Sequence, residues 1–145
     1  MLKKIVTTAA VVALASSALT GCSSGKLSPE ESCTFMNDKA KELGLKDRME
    51  GATNQLATGN TDSYSSVMDE VTNIMKDAAE KTEDDKLADA LNAAVEDANK
   101  AQAILTDEKL SLQEKSVKIQ ESQSQDSEDK MAYLDQACPN MDGFE

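Results

Sequence analysis

Residues 82–105 read TEDDKLADALNAAVEDANKAQAIL, and within them Leu87, Leu91, Ala94, Ala98, Ala101 and Leu105 recur at spacings of 4, 3, 4, 3 and 4. A stripe that alternates threes and fours stays on one face of an α-helix, and its persistence packs neighbouring helices at small crossing angles. Thr82 supplies a hydroxyl for the N-cap, and Glu83, Asp84 and Asp85 place acidic groups where the helix dipole favours them. The alanines let a neighbouring backbone come close, so the stripe predicts little room for a ligand between helices. The whole chain agrees with helix: it holds 29% charged and 3% aromatic residues, with no alternating stretch long enough to argue for a strand.

Working toward the N-terminus, Tyr64, Val67, Val71, Ile74 and Ala78 fall at spacings of 3, 4, 3 and 4 and predict a helix over 63–81. Met68 and Met75 broaden its apolar face, a core-filling role suited to a flexible side chain. Before it, Thr58-Gly59-Asn60-Thr61-Asp62 is a loop by its turn residues. The first helix starts at Ser28-Pro29-Glu30-Glu31, a capping box with proline at the first helical position. Its stripe of Cys33, Met36, Ala40 and Leu43 gives way after Gly44 to Leu45, Met49, Ala52 and Leu56 on a shifted phase, which predicts a kink or short break.

Toward the C-terminus, Thr106-Asp107-Glu108 marks a turn, and residues 107–137 form a long uneven segment. Leu110, Gln113, Val117, Gln120, Ser124, Ser127, Met131, Leu134 and Cys138 keep the rhythm of threes and fours, but the middle of that stripe is polar. Residues 120–129 are either the loosest part of one helix or an interruption. Lacking Gly and Pro, they favour one continuous helix. Pro139 stops it, and residues 139–145 are expected to form a frayed tail. The fold class is therefore all-α, an antiparallel up-and-down bundle of about four helices over residues 29–138.

The first residues have a different character. Lys3 and Lys4 precede an apolar run over 5–18 that is too short to span a bilayer and ends in Leu19-Thr20-Gly21-Cys22. This tetrapeptide, in that context, resembles the lipobox of bacterial lipoproteins. The resemblance covers residues 1–22 only. It implies a signal peptide over 1–21, a thioether-linked diacylglycerol on Cys22 with acyl chains such as palmitate, and anchoring at the extracytoplasmic face of the cell membrane. Two lipid chains are what stable anchoring requires. The competing reading is a secreted chain in which Cys22 is a spare thiol or a disulfide partner. Residues 22–28 would form the lipidated tether.

Cleavage before Cys22 would remove Lys3 and Lys4, leaving 13 basic against 27 acidic residues, a formal charge of −14 compared with −12 for the full chain. Such a surface repels nucleic acid and anionic lipid headgroups alike. With Cys22 taken by lipid, Cys33 and Cys138 remain in a compartment where disulfides persist. An even number of antiparallel helices sets the start of the first beside the end of the last, so the two are expected to pair. Two separate buried thiols are the alternative. No Cys-x-x-Cys motif points to redox catalysis.

The chain has no His, which removes the usual general base and the commonest metal ligand. No glycine-rich phosphate cradle and no basic, aromatic-interleaved surface is present. The acidic runs Glu83-Asp84-Asp85 and Asp126-Ser127-Glu128-Asp129 lack the spacing and turn glycine of an EF-hand loop. Met36, Met49, Met68, Met75 and Met131 suit a core better than soft-metal binding. No catalytic, cofactor or metal site is expected. The functional expectation is a non-catalytic interaction or scaffold module at the cell envelope, with the membrane and an envelope protein as partners. A carrier of a small apolar ligand and a structural spacer are the alternatives.

Overall fold

The computed structural model describes residues 25–122 and 124–144. They form α1 (Pro29–Glu42), α2 (Leu45–Ala57), α3 (Asp62–Lys81), α4 (Asp85–Thr106), α5 (Leu112–Ser122) and α6 (Gln125–Ala137). The fold is all-helical and carries a disulfide between Cys33 and Cys138. Six helices stand where about four were expected, because the first and last segments are each divided.

The first division follows from Gly44. It adopts a left-handed conformation (φ +61°) that a side chain disfavours, and it caps α2 after α1 has ended. The second corrects the expectation of one continuous helix over 107–137. Ser124 is extended, and its hydroxyl oxygen accepts the Ser127 backbone N–H at 3.2 Å to start α6. A serine that caps a new helix needs neither Gly nor Pro to end the old one, and the polar middle of the stripe had no apolar burial to hold it together.

The capping box of α1 is complete: Ser28 N–H donates to Glu31 Oε2 at 2.8 Å, and Glu31 N–H donates to Ser28 Oγ at 3.3 Å. For α4 the cap is Asp84 rather than Thr82. The Asp84 carboxylate accepts Leu87 N–H at 2.9 Å, while the buried Thr82 hydroxyl accepts the Asp84 N–H at 3.2 Å and so orients the cap.

Side-chain bonds give the sense of the packing. Gln102 near the end of α4 reaches Ser65 O and Asp69 near the start of α3. Arg48 of α2 makes a two-pronged pair with Glu70 of α3 at 2.5 and 2.8 Å, and Ser63 donates to Gln55 at 2.7 Å. Tyr133 late in α6 donates to Asp84 at the start of α4, and Ser127 early in α6 donates to Asp97 further along it. Each of these helix pairs runs antiparallel.

The core is formed by Met36, Ala40, Leu45, Ala52, Val67, Val71, Ile74, Ala78, Ala79, Leu87, Leu91 and Cys138. On α4 burial covers Leu87, Ala90, Leu91, Ala94 and Val95, but Ala98, Ala101 and Leu105 stay half-exposed. Besides α3 and α6, the second half of α4 meets α5, which buries no residue.

The tail does not fray as expected. Gly143 is buried and its N–H donates to Asn37 Oδ1 at 2.8 Å, while Met141 and Phe144 pack on the core. A β-carbon on Gly143 would stand 2.8 Å from Ala40 Cβ and from Asn37 O, so only glycine lets the tail lie this close to α1.

Candidate functional site

Of the three cysteines, Cys22 lies outside the described residues. Cys33 on α1 and Cys138 at the end of α6 are joined, with their Cα atoms 5.3 Å apart across a sequence separation of 105. Around this joint the chain is fastened repeatedly. Leu27, two residues before α1, forms a parallel bridge with Thr82: its N–H donates to Lys81 O at 2.7 Å and its carbonyl accepts Glu83 N–H at 2.8 Å. Lys81 Nζ lies 4.3 Å above the centre of the Phe35 ring. The residues nearest the expected anchor are thus stitched to the α3–α4 turn, the disulfide and the C-terminal tail.

The electrostatics of this end are those of caps. The Ser28 backbone N–H, then its hydroxyl, hold the Glu31 carboxyl below its ordinary pKa. The Leu87 N–H does the same for Asp84. Burial, with the neighbouring Asp84 charge, pushes the Tyr133 phenol up. Cap bonds account for the first two shifts and burial chiefly for the third, and none of the three marks a poised acid or base.

Another flank of the molecule is open. Between α4, α5 and α6 runs a groove of about 550 Å³. Its floor is Ala98 and Ala101, its apolar walls are Ile119, Met131 and Ala132, and Asp97, Glu128 and Asp135 stand among its polar residues. Alanine-tight packing thus holds only in the first half of the α4 stripe. In the second half the small side chains leave a hollow, because α5 is held by few contacts: Lys115 Nζ donates to Leu105 O at 2.6 Å, and Ile119 is half-buried. On α5, Leu112 is 80% exposed and Val117 is 47% exposed.

Sequence reasoning missed this groove. The signal was present in the polar residues Gln113, Gln120 and Ser124, which cannot cover an apolar stripe. Met131 lines the hollow rather than the core.

Among the described residues no group of three or more His, Cys, Asp or Glu side chains is arranged to hold a metal ion. No helix among them is long and apolar enough to cross a membrane. No protein-family model, curated protein or solved structure matches the chain.

Proposed function

We propose that this protein is a lipid-anchored envelope protein, held to the membrane through Cys22, whose helical domain is a non-catalytic interaction module. In this reading α1 with α2, and α5 with α6, act as two broken rods that complete a four-rod, up-and-down bundle with α3 and α4. The antiparallel pairings of α2 with α3, α3 with α4 and α4 with α6 support that grouping.

The observation that carries the reading is the incompletely covered second half of α4, with its groove, together with the exposed Leu112 and Val117 on α5. A spacer without a partner needs no such apolar surface on an otherwise charged exterior. A carrier of an apolar molecule needs an enclosed apolar cavity, whereas this hollow opens to solvent among carboxylates. From Asp84, next to the tether's attachment, to Ala101 on the groove floor is about 25 Å along α4 at 1.5 Å per residue. The exposed apolar surface would therefore be carried away from the bilayer, toward whatever stands opposite.

The test is site-specific photo-crosslinking in intact cells, with the crosslinker at Val117 on α5 and, for comparison, at Glu80 on α3. A discrete adduct from Val117 and none from Glu80 is the expected result. Equal, diffuse labelling from both positions would leave the spacer reading in its place.

A further inference from the structure

Resting on the interaction-module reading, we infer that the groove between α4, α5 and α6 is the docking site for a cationic amphipathic helical segment of a partner protein. Two properties of the groove point to that chemistry. Its centre is apolar and built of small or flexible side chains, Ala98, Ala101, Ile119, Met131 and Ala132, which accept the apolar ridge of an incoming helix. Its lining carries Asp97, Glu128 and Asp135 and no Lys or Arg.

The state of those carboxylates matters. Asp97 is partly satisfied, accepting the Ser127 hydroxyl and lying 3.8 Å from Lys100 Nζ. Glu128 and Asp135 are exposed, and their side chains make no ion pair or hydrogen bond among the described residues. They stand seven residues apart on α6, close to two helical turns and so on one face, and they bracket the groove along its length. An apolar ridge flanked by Lys or Arg meets both features at once.

The shape favours a helix over other occupants. The α6 wall runs from Ser127 to Asp135, about 12 Å at 1.5 Å per residue, which is roughly two turns of a docked helix. The described residues offer no sheet edge to which an extended peptide would add. An anionic partner, nucleic acid or acidic lipid included, would meet repulsion from the rim. Because α5 buries nothing, it can shift outward to widen the groove without breaking the core.

The experiment titrates a fluorescent synthetic peptide of Leu and Lys, with Leu at i, i+3, i+4 and i+7, with the full chain as purified from the cell. Anisotropy reports binding, and a peptide with Glu in place of Lys is the comparison. Replacing the rim pair, Glu128→Lys with Asp135→Lys, is expected to weaken the Lys peptide about tenfold or more. Asp38→Lys with Glu80→Lys makes the same change in net charge on exposed sites of α1 and α3 and is expected to weaken it less than about twofold. Ala101→Trp, which fills the floor without altering charge, should weaken it about tenfold as well. Helical circular dichroism and an intact Cys33–Cys138 bond confirm that each variant is folded. Equal losses from the two charge pairs would overturn the inference, since net charge alone would then hold the peptide. So would failure to bind the Lys peptide, or indifference to Ala101→Trp. Those outcomes with a discrete Val117 adduct in cells would remove the groove and leave the interaction module standing.

Discussion

Leu91 and Leu112 show how far one residue type can differ in consequence. Leu91 is fully buried on the close-packed half of α4, whereas Leu112 is 80% exposed on α5. Leu91→Ala is expected to cost about 2 to 5 kcal/mol, enough to threaten a domain of ordinary net stability, while Leu112→Ala should leave the denaturation midpoint nearly unchanged. Urea titration of both variants checks the contrast. Asp84 gives a pH-dependent prediction. The Leu87 N–H lowers its folded pKa, so its contribution is fully present above the unfolded carboxylate value and is lost as pH falls through the folded one. The difference in melting temperature between the native protein and Asp84→Ala should therefore shrink on acidification. Had Asp84 no role as a cap, the difference would be small at every pH. Gly143 is a further informative position. Gly143→Ala is expected to lift the tail from α1 and expose residues 139–144 to carboxypeptidase, because the new methyl meets Ala40 and the Asn37 carbonyl.

At the scale of elements, the two helices that contact α4 beyond its turn with α3 are held very differently. The lower part of α4 shares its buried face with the core, and α6 is fastened to it by Tyr133 and Ser127. The helix α5 buries no residue; among the described residues Lys115 bonds Leu105 O, and Lys115, Ile119 and Ser122 are half-buried. Amide hydrogen exchange should rank them accordingly, with α5 exchanging through local opening well before the stretch of α4 around Leu87 and Leu91. Uniform protection across both would mean that α5 is as integral as α3. The division of α5 from α6 also shows why periodicity misleads. A rhythm of threes and fours through Gln120, Ser124 and Ser127 satisfies a helical template, yet only burial rewards it, and a serine cap competes successfully where burial is absent.

For the whole molecule, the Cys33–Cys138 bond closes nearly the entire folded chain, with a separation of 105 residues. In the chain-entropy account such a loop contributes on the order of 4 to 5 kcal/mol, comparable with the net stability of a small domain. Reduction with dithiothreitol is expected to lower the denaturation midpoint by a corresponding amount. An unchanged midpoint would mean that the helices alone hold the two ends together. Fastening is concentrated where the chain would emerge from its lipid, and looseness lies at α5 and the groove. That polarity would suit the proposed module, in which the anchored end transmits position while the free flank meets a partner.

The sequence by itself determined the helical class, the capping box at Ser28, the break at Gly44 and the candidate pair of sulfurs. These depend on local geometry: side-chain spacing along one helix, backbone freedom at one glycine, and the parity of an up-and-down chain. Only the tertiary structure decided that the α4 stripe is covered for half its length, that Ser124 divides the last segment, and that Gly143 docks the tail. Each of those outcomes depends on which surface lies opposite. Burial is a property of two elements together, and no single stretch of chain encodes its own cover.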